Sequence, residues 1–300
     1  MSYQAIQDRF DAKELVVLDG ATGTELERRR VPMDHESWCA PASLEYADVL
    51  EAVHLDYIRA GSHIVTANTF SSSRPMLESA GYGDRLEDVN RNAIEAAQRA
   101  RERSDVEGVA VAGSISHWTE GHPGRPEPTP QKLADTFGEI STIMKSTGVD
   151  LILLEMMYKP NRIEIAMTAA LETGLPVWAG FSARAGDDGR LLSFMGEDDV
   201  PFDEIAKLAR RPGIRAAGVM HSESNIVGPA LTALREHFDG PTYAYPDSGY
   251  FEMPNWRFED VIPPDELKRY AGDWKADGVA AIGGCCGLTP DHIRAIAGLD

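Results

Sequence analysis

Val279-Ala280-Ala281-Ile282-Gly283-Gly284-Cys285-Cys286-Gly287-Leu288-Thr289-Pro290 joins an apolar run, a glycine-rich turn with two adjacent cysteines, and a Thr-Pro pair. An apolar run without alternation reads as a strand buried on both faces, the kind found in parallel sheets covered by helices. A threonine before a proline is a helix start, because Thr caps the first turn and Pro is pre-shaped for the first helical position. The stretch is therefore a strand, a loop and a helix in succession.

The same unit recurs upstream. Strands are expected at Glu14–Asp19, His63–Ala67, Val109–Gly113, Asp150–Leu154, Pro176–Gly180, Ile214–Val219, Thr242–Tyr245 and Val279–Gly283. Amphipathic stretches follow them at Ser43–Ala60, Leu86–Ser104, Pro130–Thr147, Asn161–Thr173, Phe202–Arg210, Asn225–Phe238, Pro264–Lys275 and Pro290–Ile296. Alternating units of this number close into a (β/α)8 barrel, the TIM-barrel class of α/β folds. The rival is an open doubly wound sheet, but no Gly-x-Gly-x-x-Gly turn follows an early strand. Three hundred residues suit one such barrel, and no linker-like break interrupts the chain, so residues 1–300 are expected to form a single domain.

Composition narrows the function. With 29 basic and 48 acidic side chains the net charge is −19. That opposes binding to nucleic acid or to anionic membrane, which needs clustered Lys and Arg. No apolar run approaches the ~20 residues of a membrane span. The polar start, Met1 to Asp11, is unlike a signal peptide. Three cysteines, two of them adjacent, make no disulfide framework. A cytoplasmic protein is expected.

The long connections Ser116–Thr129, Ser182–Val200 and Pro246–Pro263 all follow strands. In a barrel they stand on the C-terminal face, where βα loops build sites. The last two read as lids or subunit contacts, which leaves a homo-oligomer open. Cys285 and Cys286 turn out of the eighth strand on that face, where flanking glycines bring both sulfurs toward one point. They read as metal ligands. The alternatives are buried structural thiols and a strained vicinal disulfide. A catalytic zinc site has three protein ligands and an open position. His221, just past the sixth strand, is the leading third ligand; Cys39 and His117 are the others. Asp19 and Glu155 each end a buried strand, where a carboxylate must be paired or face the open mouth. Asn68 and Thr69 add neutral hydrogen-bonding groups after the second strand.

These residues resemble the homocysteine S-methyltransferase family, which includes betaine- and S-methylmethionine-dependent enzymes. The likeness runs through Asp19-Gly20-Ala21-Thr22-Gly23-Thr24-Glu25-Leu26, Ala67-Asn68-Thr69-Phe70, Gly113-Ser114-Ile115, Glu155, Tyr245-Pro246-Asp247-Ser248-Gly249 and Gly283-Gly284-Cys285-Cys286-Gly287. The resemblance implies a zinc-bearing barrel that moves a methyl group from a methylated cationic donor to a small-molecule thiol acceptor. It implies that Asp19 and Glu155 hold the acceptor's ammonium group, with backbone N–H groups near Gly20 and Ala21 taking its carboxylate. Thr24, Asn68 and Tyr245 fall in the family's substrate-binding motifs.

Two departures matter. The family's zinc is held by one cysteine after the sixth strand and two in the Gly-Gly-Cys-Cys segment, and here the first of these is His221. Asp247 stands where an asparagine is common. Trp38 matches a donor-side tryptophan of the betaine enzymes, and Trp118, Tyr250 and Trp256 lie on mouth loops where aromatic faces suit a methylated cation. Ser71 and Met156 replace tyrosines of a betaine cage, which leans the reading toward a sulfonium donor. The acceptor implied is homocysteine, giving methionine; the competing functions are zinc-dependent methyl transfer to a different thiol, zinc-water hydrolysis or a lyase reaction, and a ligand-sensing barrel without turnover.

Overall fold

The computed structural model describes residues 2–118, 127–194 and 199–299. Its main sheet has eight parallel strands: β1 (Val16–Val17), β2 (Ile64–Thr66), β3 (Ala110–Ser116), β4 (Leu151–Met157), β5 (Val177–Phe181), β6 (Ile214–Glu223), β7 (Thr242–Asp247) and β8 (Ala281–Ile282). Each pairs with its sequence neighbour, and β8 returns to β1 through Val16–Ala281 and Val17–Ile282. A parallel bridge between Leu18 and Ile64 closes the ring between β1 and β2. The result is a (β/α)8 TIM barrel. The strand residues are almost wholly buried, as strands walled by helices outside and packed side chains inside must be.

Glycines set the interior spacing. A Cβ on Gly218 would stand 2.4 Å from the backbone oxygen of Tyr243, and one on Gly180 would stand 2.6 Å from the Tyr243 hydroxyl. Bare backbone at both positions gives the Tyr243 ring its place between β5 and β6.

Helical segments differ from the sequence expectation mainly at their edges. Ser43–Ala60 divides into Ala42–Glu45 and Ala47–Ala60 at Tyr46, whose φ of −134° interrupts the helical path. Phe202–Arg210 is α-helical only over Phe202–Ala206 and finishes as a 3-10 turn, Lys207–Arg210. An additional helix, Ser2–Asp11, lies against the N-terminal end of the barrel: Ile6 is fully buried, Phe10 stacks on Trp178 at 5.6 Å, and the Trp178 indole N–H donates to the Tyr3 hydroxyl at 3.2 Å. Parts of two long connections, residues 119–126 and 195–198, lie outside the described residues. Among those described, no helix is long and apolar enough to cross a membrane.

Two barrel strands break register at the C-terminal face. In β4 the pairing with β5 shifts between Leu154 and Met157, and in β6 the pairing with β7 shifts between Met220 and Glu223. Each break inserts one residue, the definition of a bulge, and re-aims the side chains within it. The inserted turns contain Met156 at φ +54° and His221 at φ +45°, conformations that side-chain-bearing residues rarely adopt.

Gly218→Ala is expected to destabilise the fold by about 1–3 kcal/mol through overpacking against the Tyr243 backbone. Urea unfolding reads this as a lower midpoint with unchanged slope. An unchanged midpoint would show that the space at Gly218 is not needed.

Candidate metal centre and its cavity

The loop after β8 is laced into its neighbours by backbone bonds. Gly284 N–H donates to Asp19 O at 3.0 Å, Cys285 N–H to Pro246 O at 2.6 Å, and Ser248 N–H to Cys286 O at 2.9 Å. Gly287, at φ +81°, donates to Thr24 Oγ1 at 3.0 Å, and a Cβ there would stand 1.9 Å from Ser248 O. No other residue fits that approach. Both thiols are thereby turned onto one cavity wall.

The sulfurs of Cys285 and Cys286 stand 4.0 Å apart, and His221 Nδ1 is 3.5 Å from Cys285 Sγ. One ligand atom from each of the three residues lies within 4.8 Å of the others. Tetrahedral zinc, with Zn–S of about 2.3 Å and Zn–N of about 2.0 Å, spaces its ligand atoms about 3.5–3.8 Å apart. The donor set and its spacing fit such a cation. Among the described residues this is the only such group of His, Cys, Asp and Glu.

The other two candidates are held elsewhere. Cys39 donates its thiol to Asn68 Oδ1 at 3.0 Å, and burial pushes its pKa up to about 12. His117 Nε2 accepts from Tyr158 N–H at 3.4 Å, and burial together with Arg162 and Lys159 keeps the ring neutral.

The electrostatics around the sulfurs are those of crowded anions. Cys285 is pushed well above the usual thiol range by its Cys286 neighbour and by burial. At Cys286 the hydrogen bond from Cys285 favours the thiolate, but burial and the carboxylates of Asp247 and Glu155 outweigh it. Burial pulls the His221 imidazolium down, yet Asp247, Cys285 and Glu155 together push it up to about 9.

The two strand-end carboxylates occupy different depths. Asp19 is fully buried and does not line the cavity. Its Oδ2 accepts from Thr66 N–H at 2.6 Å, while Oδ1 accepts from Thr66 Oγ1 at 3.0 Å and from the Tyr245 hydroxyl at 2.9 Å. Burial still pushes its pKa up to about 6. Glu155, in the β4 bulge, faces the cavity and accepts from Ser114 Oγ. Burial raises its pKa to about 7 against that bond, and the Asp19 charge adds to the rise.

The cavity holds about 1670 Å³ and opens at the C-terminal face. Gly20, Ala21, Trp38, Asn68, Trp118 and Tyr245 line it beside the three candidate ligands, whereas Thr24 lies behind the wall. Asn68 lends only part of its surface, because its amide donates to Cys39 O at 2.9 Å and Ser43 Oγ at 3.2 Å. Phe194 and Phe251 carry no sequence signal, and Phe70 stands in the sequence only as part of a motif, with no role of its own. Trp38, Phe70, Trp118 and Phe251 form a closed circuit of ring contacts at 6.3, 5.9, 6.1 and 6.0 Å. Phe251 belongs to a hairpin, Tyr250–Glu252 with Asn255–Arg257, inside the connection after β7. Phe70 was the legible one, since it ends the Asn68-Thr69-Phe70 run. Phe251 carried no pattern of its own.

The sequence profile of the homocysteine S-methyltransferase family matches residues 16–299. The chain is 29% identical to homocysteine S-methyltransferase of Escherichia coli (strain K12), over 96% of each chain. It is 27% identical to homocysteine S-methyltransferase 4 of Zea mays, over 96% of this chain and 90% of that one. Its fold superposes on the metallated form of the homocysteine methyltransferase MmuM from Escherichia coli with a TM-score of 0.81, at 22% identity, covering 99% of this chain and 100% of that one.

Asp19 and Glu155 bind their protons more tightly folded than unfolded. Stability therefore falls as pH rises from about 4 to about 7, by about 3 kcal/mol per group at most. In chelator-treated protein, Glu155→Gln is expected to be more stable than the parent at pH 8 by about 2 kcal/mol, with the difference closing by pH 5. Thermal melts at both pH values measure it. A variant less stable at pH 8 would mean that the folded protein favours the ionised carboxylate.

Proposed function

The chain belongs to the homocysteine S-methyltransferase family, and from that premise we propose that it transfers a methyl group from a cationic donor to a thiol, homocysteine in the first instance, at a zinc site formed by His221, Cys285 and Cys286. The observation that carries the reading is the convergence of those three side chains on the wall of a cavity bordered by a buried carboxylate and an aromatic circuit. Zinc held there would supply a Lewis acid that favours the acceptor sulfur as thiolate near neutral pH.

The remaining work falls to the chain. Glu155 faces the cavity and receives the acceptor's ammonium group, which replaces the hydration its carboxylate lost on burial. Backbone N–H groups near Gly20 and Ala21 take the acceptor's carboxylate. Asp19 acts one layer back, orienting Tyr245 and Thr66 through its hydrogen bonds while adding negative charge beneath the ammonium. Trp38, Phe70, Trp118 and Phe251 offer ring faces to the methylated cation and keep water from it.

The chemistry balances without a general base at the transfer step. The acceptor's thiol proton has already passed to solvent, and its sulfur forms the new S–CH3 bond. The bond from methyl to the donor's sulfonium sulfur or ammonium nitrogen breaks, and the electron pair leaves with the donor as a neutral thioether or amine. Alignment of the two substrates supplies the catalysis. The Ser71 and Met156 positions favour a sulfonium donor such as S-methylmethionine over betaine.

Protein purified without chelator or added metal is expected to carry close to one zinc per chain by elemental mass spectrometry, and Cys286→Ala is expected to lose it. Methionine should form only when homocysteine and a sulfonium donor are both present. Trp118→Ala should raise the donor KM about tenfold while leaving zinc content unchanged, since a desolvated cation–π contact contributes roughly 1–2 kcal/mol. Intact, reduced protein without metal, or turnover that needs no thiol, would overturn the reading.

A further inference from the structure

We propose that Asp247 is a positioning residue of this centre, whose carboxylate beside His221 returns the negative charge that an imidazole in place of a thiolate removes. The inference rests on the reading of His221, Cys285 and Cys286 as the ligands.

The placement is specific. Asp247 ends β7 and pairs with Glu223 immediately beyond the β6 bulge that carries His221. Its Oδ2 stands 3.3 Å from His221 Nδ1, with both side chains nearly buried, at 11% and 12% exposure. Yet Asp247 is not in the group of ligand atoms within 4.8 Å of one another. It stands outside that group, beside the ring nitrogen that also lies 3.5 Å from Cys285 Sγ. Other sides of the ring meet Phe194 at 4.8 Å and Trp256 at 6.0 Å, so Asp247 and Cys285 share its polar edge between two aromatic faces, with Glu155 acting on it through charge.

Formal charge makes the consequence definite. A divalent cation with two thiolates and a neutral imidazole sums to zero, and with three thiolates to −1. One carboxylate at ion-pair distance from the imidazole brings the neutral set to −1. With both side chains largely out of water, that charge is screened less than a surface pair would be. A carboxylate held against a ligand imidazole raises its basicity through that charge, and loss of such partners commonly costs 10–100-fold in metal affinity. A more negative centre also leaves a bound acceptor sulfur more nucleophilic. Asp247 thus lets a histidine serve where the chemistry asks for an electron-rich site. The strained backbone at His221 fits the same purpose, because the ring must reach the thiols and the carboxylate from one position.

The test is a double-substitution cycle read by zinc affinity, in competition with a chromophoric chelator, on wild type, Asp247→Asn, His221→Cys and the double variant. Asp247→Asn is expected to weaken zinc binding about 10–100-fold when His221 is present. In the His221→Cys background the same change should leave affinity unchanged or improve it, since three thiolates already supply the charge. Cobalt(II) substituted for zinc should show a shifted visible spectrum in Asp247→Asn, and Asp247→Glu, which keeps the charge, should bind zinc more nearly as wild type does. Equal loss in both backgrounds would assign Asp247 to the fold rather than to His221, and no loss with His221 present would equally overturn the proposal. Wild-type protein that binds no zinc would instead overturn the ligand assignment, and this inference with it.

Discussion

Two backbone hydrogen bonds tie the loop after β8 to the end of β7 and the residue that follows it: Cys285 N–H to Pro246 O, and Ser248 N–H to Cys286 O. They run in opposite senses across neighbouring segments, so neither loop can slide without breaking both. Their geometry brings Gly287 so close to Ser248 that no side chain fits between them. The orientation of both thiols follows from this clasp, as does the presentation of Asp247, which sits between the two β7-loop anchors. Ser248 Oγ also accepts from Ile262 N–H at 2.9 Å, and Trp256 Nε1–H donates to Ser248 O at 3.0 Å. The aromatic hairpin over the cavity is thus anchored at the same point as the thiols.

The second device is the pair of bulges. A regular parallel strand alternates its side chains between barrel interior and helix layer. One extra residue in β4 and one in β6 break that alternation at the C-terminal face, where Glu155 and His221 leave the strands. The bulges meet where Met156 N–H points at Met220 Sδ at 3.2 Å, while Ser222 Oγ ties the β6 bulge to itself through Met220 O and to the connection after β5 through Ala183 N–H, both at 2.8 Å.

The division between what the sequence discloses and what it conceals follows from the same physics. Continuous apolar strands and Thr-Pro helix starts are local signals, so the βα succession could be read from composition and spacing. The adjacency of Cys285 and Cys286 in a glycine cluster is equally local, and His221 could be brought to them because neighbouring barrel strands end on one face. The bulges could not be read: a strand buried on both faces has no hydrophobic alternation for an inserted residue to interrupt. Nor do Trp38, Met156 and His221 announce left-handed backbone, because bulky residues adopt it only when tertiary contacts impose it. Asp19 was legible as an unusual buried carboxylate, but not its depth, which is set by Thr66 and by Tyr245, 226 positions away. The Ser2–Asp11 helix shows a single fully buried side chain, Ile6, and its mixed charge hid it.

That N-terminal helix bears on traffic. With Tyr3, Ile6 and Phe10 packed around Trp178, the barrel's lower end is covered beneath its own packed interior, and the cavity opens only on the C-terminal side of that core. Whatever enters must leave the way it came.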